Sequence, residues 1–162
     1  MTTRGFHHLS FTVASVYEAE RFFTEMFGMH RAGGGIFDFV NLQRTVGFPD
    51  AVLKIAYLVF PSSQDNEGGR DVSTRWQRLE LIEYIHPTGL PTDTATNRPG
   101  NAHLCFEVSD VHATYEKLCK RGVPFKSAPN RILWGVNNGG WSVYCNGPSG
   151  IALELLQPPE TN

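Results

Sequence analysis

The chain carries one hydrophobic and polar pattern twice. Phe6-His7-His8-Leu9-Ser10-Phe11-Thr12-Val13 and Asn101-Ala102-His103-Leu104-Cys105-Phe106-Glu107-Val108 share the frame H-L-x-F-x-V. Both are rich in β-formers and read as strands. Each runs into helical spacing. Ser15 and Glu18 form a capping box ahead of Ala19, Phe22, Phe23 and Met26, and Gly28 closes the helix. Asp110 caps the second helix, with Ala113, Tyr115, Leu118 and Cys119 on its apolar stripe and Gly122 as the stop. A third match follows. Leu79-Glu80-Leu81-Ile82 and Leu153-Glu154-Leu155-Leu156 are short apolar strands interrupted by one carboxylate, and Pro87 and Pro158 end them. Further strands are expected over Ile36–Leu42 and Leu53–Phe60 in the first repeat, and over Arg131–Trp134 and Gly140–Cys145 in the second. The polar stretch Ser62–Arg75, centred on Gly68-Gly69, reads as a solvated loop in preference to a lid. The repeat predicts one domain over residues 1–162, built of a module at 5–86, a Pro/Thr/Asn-rich linker at 87–100 and a module at 101–158.

Composition narrows the class. With 41% apolar and 19% charged residues the chain has enough burial to fold. A net charge of −2 offers no broad capture of nucleic acid or anionic lipid. The 16 glycines and 10 prolines suit many short strands. Cys105, Cys119 and Cys145 are odd in number and lack a CxxC pair, which points away from a disulfide framework and toward a reducing compartment. No apolar run approaches membrane length and the N-terminus has no signal-like core, so a cytoplasmic protein is expected.

The repeated residues carry the candidate chemistry. A carboxylate inside Leu-Glu-Leu is costly when buried alone and must be paired, hydrogen-bonded or bound to a metal. Histidine is the commonest metal ligand. Core packing does not require the same His and the same Glu to recur in both modules, and their recurrence points to one divalent-metal site formed by His8, Glu80, His103 and Glu154. Alternation along the strand sends His7 away from His8 and sends Ser10 and Cys105 to the same side as His8 and His103. His30 and His112 lie outside the repeated positions, His112 as a solvated residue in the first helical turn, while His86 remains a weak candidate for the cleft. Arg44, Lys54, Arg78 and Arg131 are candidate anion binders, more simply read as solvated cations. Trp76, Trp134 and Trp141 read as packing or rim residues.

On these motifs, together with Tyr144-Cys-Asn-Gly-Pro-Ser-Gly-Ile-Ala-Leu-Glu154-Leu, the chain resembles the vicinal oxygen chelate superfamily, also called the glyoxalase, bleomycin-resistance and extradiol-dioxygenase superfamily. The resemblance implies an α+β fold of two βαβββ modules, each curling a mixed sheet into a half-barrel around a metal-binding cleft. It implies His8, Glu80, His103 and Glu154 as ligands of one ion (Ni, Co, Zn, Mn or Fe) and a homodimeric state. The small-molecule substrate would offer adjacent oxygens to the metal. The full ligand set favours an isomerase or epimerase, or a glyoxalase-type lyase. In such an enzyme a metal-stabilised enediolate forms when Glu80 or Glu154 removes a proton beside a carbonyl. The alternatives are an iron-dependent extradiol dioxygenase and a non-catalytic ligand-binding module. Ring cleavage typically uses two His and one carboxylate, so Glu80 would crowd the iron, and Gly135–Asn138 lacks an acid-base His. The stretch Val40–Phe60 is longer than a compact glyoxalase module needs.

Overall fold

The computed structural model describes residue 2 and residues 5–61 and 78–160. The polar stretch at 62–75 and Trp76 lie outside the described residues. The chain divides into two compact units, Met1–Pro91 and Thr92–Asn162.

The first unit runs β1 (Leu9–Thr12), α1 (Val16–Phe27), β2 (His30–Phe37), α2 (Val40–Val46), β3 (Val52–Val59) and β4 (Leu79–His86). The second runs β5 (His103–Glu107), α3 (Val111–Lys120), β6 (Asn130–Arg131), β7 (Trp141–Asn146) and β8 (Ala152–Gln157). Their sheets have the same order, β1-β4-β3-β2 and β5-β8-β7-β6. In each, the first strand pairs in parallel with the last and the remaining pairs are antiparallel. The architecture is α+β, two βαβββ modules with mixed sheets, as expected. The first module carries α2 as an addition.

Local chemistry sets the helices. The Ser15 hydroxyl accepts from the Glu18 N–H at 3.3 Å, and Gly28 closes α1 at φ 72°. The Asp110 carboxylate accepts from the Ala113 N–H at 2.9 Å. Val16, Ala19 and Phe23 are buried on α1, as are Val111 and Leu118 on α3, each large side chain contributing roughly 1.5–3 kcal/mol. A matched tie docks both helices. The residue three beyond each carboxylate lies on the opposite face of its strand. Glu83 Oε2 accepts from the Val16 N–H at 2.8 Å, and Gln157 Oε1 accepts from the Val111 N–H at 2.9 Å. These bonds satisfy helix N-terminal donors that would otherwise stay unpaired. They also turn the Leu79–Leu81 and Leu153–Leu155 positions toward the helices and leave Glu80 and Glu154 on the far face. Glu83→Ala is expected to cost about 1–2 kcal/mol, read as a lower urea midpoint. An unchanged midpoint would remove the tie from the account of helix docking.

Two strand expectations are corrected. The strand expected over Ile36–Leu42 ends at Phe37, and Val40–Val46 is helical. The apolar Phe39, Val40 and Leu42 suggest a strand, but the Leu42 and Gln43 N–H groups bond to the Phe39 carbonyl, and the Gln43 side chain donates to the Asp38 carbonyl at 2.9 Å. The same strand begins earlier, at His30, because pairing with β3 overrides the low strand propensity of Gly33-Gly34-Gly35. The strand expected over Arg131–Trp134 shrinks to Asn130–Arg131, since Ile132 and Gly140 close a loop that leaves Leu133, Trp134 and Val136 exposed.

Candidate functional site

Glu80 sits on β4 between β1 and β3, opposite Ser10 on one side and Tyr57 on the other. It is the buried charged residue among the described positions, at 7% exposure. Burial in mid-sheet requires partners. His8 supplies one, its Nε2 standing 3.1 Å from Glu80 Oε2. The Tyr57 phenol, opposite on β3, is a polar neighbour as well. Burial first, and then Glu80, push the Tyr57 phenol above its ordinary value, so it stays protonated at neutral pH.

The second module repeats the group. Glu154 on β8 lies between Cys105 on β5 and Tyr144 on β7. His103 Nε2 stands 3.1 Å from Glu154 Oε2, and the Tyr144 hydroxyl is 3.3 Å from the same imidazole nitrogen. Burial, followed by the Glu154 charge and its hydrogen bond, pushes Tyr144 up to about 12. The Cys105 thiol belongs to an exposed residue, yet partial burial and then the Glu154 charge push it up to about 12. That makes it a poor nucleophile.

The structure therefore brings His8 to Glu80 and His103 to Glu154, each pair within its own module. Among the described residues no group of three or more His, Cys, Asp or Glu clusters about one point. Each pair suits a divalent ion by its spacing. Two ligands about 2.1 Å from a metal and at right angles are about 3 Å apart, close to the observed 3.1 Å. The imidazoles are the more accessible partners, at 35% and 43% side-chain exposure against 10% and 13% for the carboxylates.

The other sequence candidates fall elsewhere. His7 does not point away from His8. Both precede β1, so strand alternation does not reach them, and their Nδ1 atoms lie 2.8 Å apart. His112 packs edge-on against Trp141 at 4.8 Å between centroids. His30 opens β2 and His86 ends β4, both exposed. Lys54 pairs opposite Glu83, on the helix side of the sheet. Arg131 lies over Trp141, 5.8 Å from its centroid. Arg44 lines a cavity of about 370 Å³ with Val40, Gln43, Gly47, Pro49 and Asp50. Arg78 alone of the four cations stands over Tyr57, 5.9 Å from its ring centroid. The sequence reading missed Tyr57. Its position opposite Glu80 equals that of Tyr144 opposite Glu154, a match that appears only once the strand registers are known.

Comparison with known proteins agrees with this architecture. The chain is 27% identical to Glyoxalase I of Saccharomyces cerevisiae over 158 residues, 93% of this chain and 44% of the yeast protein. It thus spans less than half of that relative's length. It is 28% identical to a 2-epi-5-epi-valiolone epimerase of Actinomyces sp. over 174 residues, 98% of this chain and 85% of that protein. A glyoxalase family protein from Bacillus cereus superposes with a TM-score of 0.78 at 20% identity, covering 99% of this chain and 97% of its own, which shows a shared fold. No described helix is long and apolar enough to cross a membrane. The family model for the Glyoxalase/Bleomycin resistance protein/Dioxygenase superfamily matches residues 5–155, and the chain belongs to that superfamily.

Proposed function

We propose that this chain is a divalent-metal-dependent isomerase or epimerase, or a glyoxalase-type lyase, that moves a proton on the carbon beside a carbonyl. The observation that carries the reading is the recurrence of one group, His Nε2 at 3.1 Å from Oε2 of a largely covered mid-strand Glu with a Tyr opposite, in both modules. Relatives named glyoxalase I and an epimerase support the class. His8, Glu80, His103 and Glu154 would hold the ion. When bound, it would supply Lewis-acid polarisation of the substrate carbonyl, making the adjacent C–H more acidic.

The protein's own groups do the proton work. Glu80 and Glu154, on separate modules, are the candidate bases, one accepting the proton at Oε2 and the other able to return it. Tyr57 and Tyr144 remain protonated at neutral pH and stand opposite their carboxylates in the strand registers. Ser10 and Cys105 are small neighbours of the two carboxylates in the parallel registers.

The test is metal content of the purified chain by mass spectrometry, followed by solvent-deuterium incorporation into α-carbonyl compounds. About one equivalent of Ni, Co, Zn or Mn, with deuterium incorporation lost in Glu80→Gln and Glu154→Gln, is the expected result. Bound iron with catechol-dependent oxygen uptake, undiminished by Glu80→Ala, would replace the proposal with ring cleavage. Mixing His8→Ala chains with Glu154→Ala chains addresses the homodimer. Metal binding restored by mixing would mean that two copies share the ligand set.

A further inference from the structure

The two modules repeat His, Glu and Tyr, but they do not repeat Arg78. The corresponding position in the second module, two residues before Glu154, is Ala152. Arg78 lies two residues before Glu80, immediately ahead of β4. Its guanidinium carbon is 5.9 Å from the centroid of Tyr57, the residue opposite Glu80 on β3. Arg78 is also the described residue with a buried side-chain polar atom lacking a hydrogen-bond partner, its Nε. Among the described residues no carboxylate pairs with it, whereas Arg31 holds Glu20 at 3.2 Å and Arg98 holds Asp93 at 2.8 Å. A buried guanidinium N–H without a partner is a costly arrangement to keep for folding alone.

Across from Tyr57 on β2 is Gly33, and across from Ile55 is Gly35. Among the described residues, the nearest atom to a Cβ on Gly33 would be Tyr57 Cδ2, at 3.9 Å, and the nearest atoms to a Cβ on Gly35 would be those of the Phe37 ring, at 3.4 Å or more. The sheet next to the Arg78–Tyr57–Glu80 row thus presents backbone where side chains would otherwise stand. In the second module Lys126 Nζ lies 5.9 Å over Tyr144, but that lysine is exposed and has Thr96 Oγ1 at 3.5 Å.

We propose that Arg78 binds an oxyanion, a carboxylate or a phosphate, carried by the substrate. The substrate is then an anionic carbonyl compound, held by its charge on the first module's side. This deepens the proton-transfer reading above and rests on it for the word substrate, while the anion site itself is testable without metal. A guanidinium can give an oxyanion two parallel hydrogen bonds, and a guanidinium in one module set against an exposed lysine in the other distinguishes the two ends of a ligand that the repeated groups would treat alike.

The first arm uses the full chain stripped of metal with a chelator. Malonate and inorganic phosphate are titrated while the Arg78 Nε–Hε resonance is followed. A saturable shift with at least one is expected, and the tighter anion names the class. Arg78→Met should weaken that anion roughly tenfold or more, and Lys126→Met should leave it unchanged, both variants being checked by thermal melting. Absence of a saturable shift with either anion, or undiminished affinity in Arg78→Met, overturns the proposal. The second arm uses metal-loaded protein and two chelating probes, neutral acetohydroxamate and a hydroxamate with a pendant carboxylate or phosphonate. The charged probe should bind about tenfold tighter in the parent and equally in Arg78→Met; equal binding in the parent overturns the proposal. Failure of both hydroxamates to bind rejects the metal reading instead, and the first arm then decides Arg78 as an anion site.

Discussion

Glu80→Ala is expected to lower metal affinity by at least about a hundredfold, with Glu154→Ala doing the same, since loss of even an outer partner of a ligand costs 10- to 100-fold. Glu80→Gln keeps the shape and loses the charge, and should lie close to Ala. Tyr57→Phe removes the hydroxyl beside the carboxylate and should cost about tenfold. Titration calorimetry and metal content read all four variants. Thermal melting separates a ligand from a structural residue. A carboxylate buried at 7% exposure costs desolvation in the metal-free protein, so Glu80→Ala should not lower the metal-free melting temperature. It should abolish the rise produced by adding metal, because a ligand stabilises only as RT ln(1 + [L]/Kd). A variant that melts early without metal and keeps its metal-induced rise would make Glu80 a packing residue and sink the ligand assignment.

Gly34→Ala is expected to destabilise the first module by about 3 kcal/mol or more, enough to leave much of the chain unfolded. The backbone at Gly34 has φ +124°, and a Cβ there would stand 2.0 Å from the Ile55 carbonyl oxygen and 2.9 Å from Ala56 Cα. Neither is a flexible side chain, so the β2–β3 pairing itself would have to open. Gly33→Ala is the control. The contact with Tyr57 Cδ2 at 3.9 Å is ordinary, and the expected change is below about 1 kcal/mol. Urea denaturation followed by circular dichroism compares the two. Equal midpoints for Gly34→Ala and the parent would mean that β2 does not hold the approach to β3 described above. The effect matters for the site because β3 carries Tyr57, so separating β2 from β3 would release the strand that orients Glu80.

The visible part of this fold was what the chain states twice. His8 and His103, Glu80 and Glu154, Ser15 and Asp110 stand in matching surroundings, and each needs only local pattern to be placed. Tyr57 was hidden because the chain from Tyr57 to Glu80 is much longer than that from Tyr144 to Glu154. Equivalence of the tyrosines is a matter of cross-strand register, not of sequence spacing. Glu83 and Gln157 escaped for a related reason, since their partners are helix N–H groups more than forty residues away. Strand β2 was partly misread because glycine carries no outward sign of a strand, and α2 because a short apolar cluster fits either period. Arg78 could be named from sequence as a cation, but its buried Nε and the glycine row beside it depend on tertiary pairing.

The order of strands within each sheet gives the ligand pairs unequal persistence. β4 and β8 are bonded on both sides, whereas β1 and β5 are bonded within their sheets on one side only. Each carboxylate therefore rides on backbone that opens late, and each imidazole, at or just before the start of an outer strand, on backbone that opens early. Fraying at Leu9, whose N–H holds the Arg78 carbonyl at 3.2 Å, would detach His8 from Glu80 while the sheet stays whole. The histidines are in this sense the latch and the glutamates the frame, so amide exchange should reach His8 and His103 well before Glu80 and Glu154.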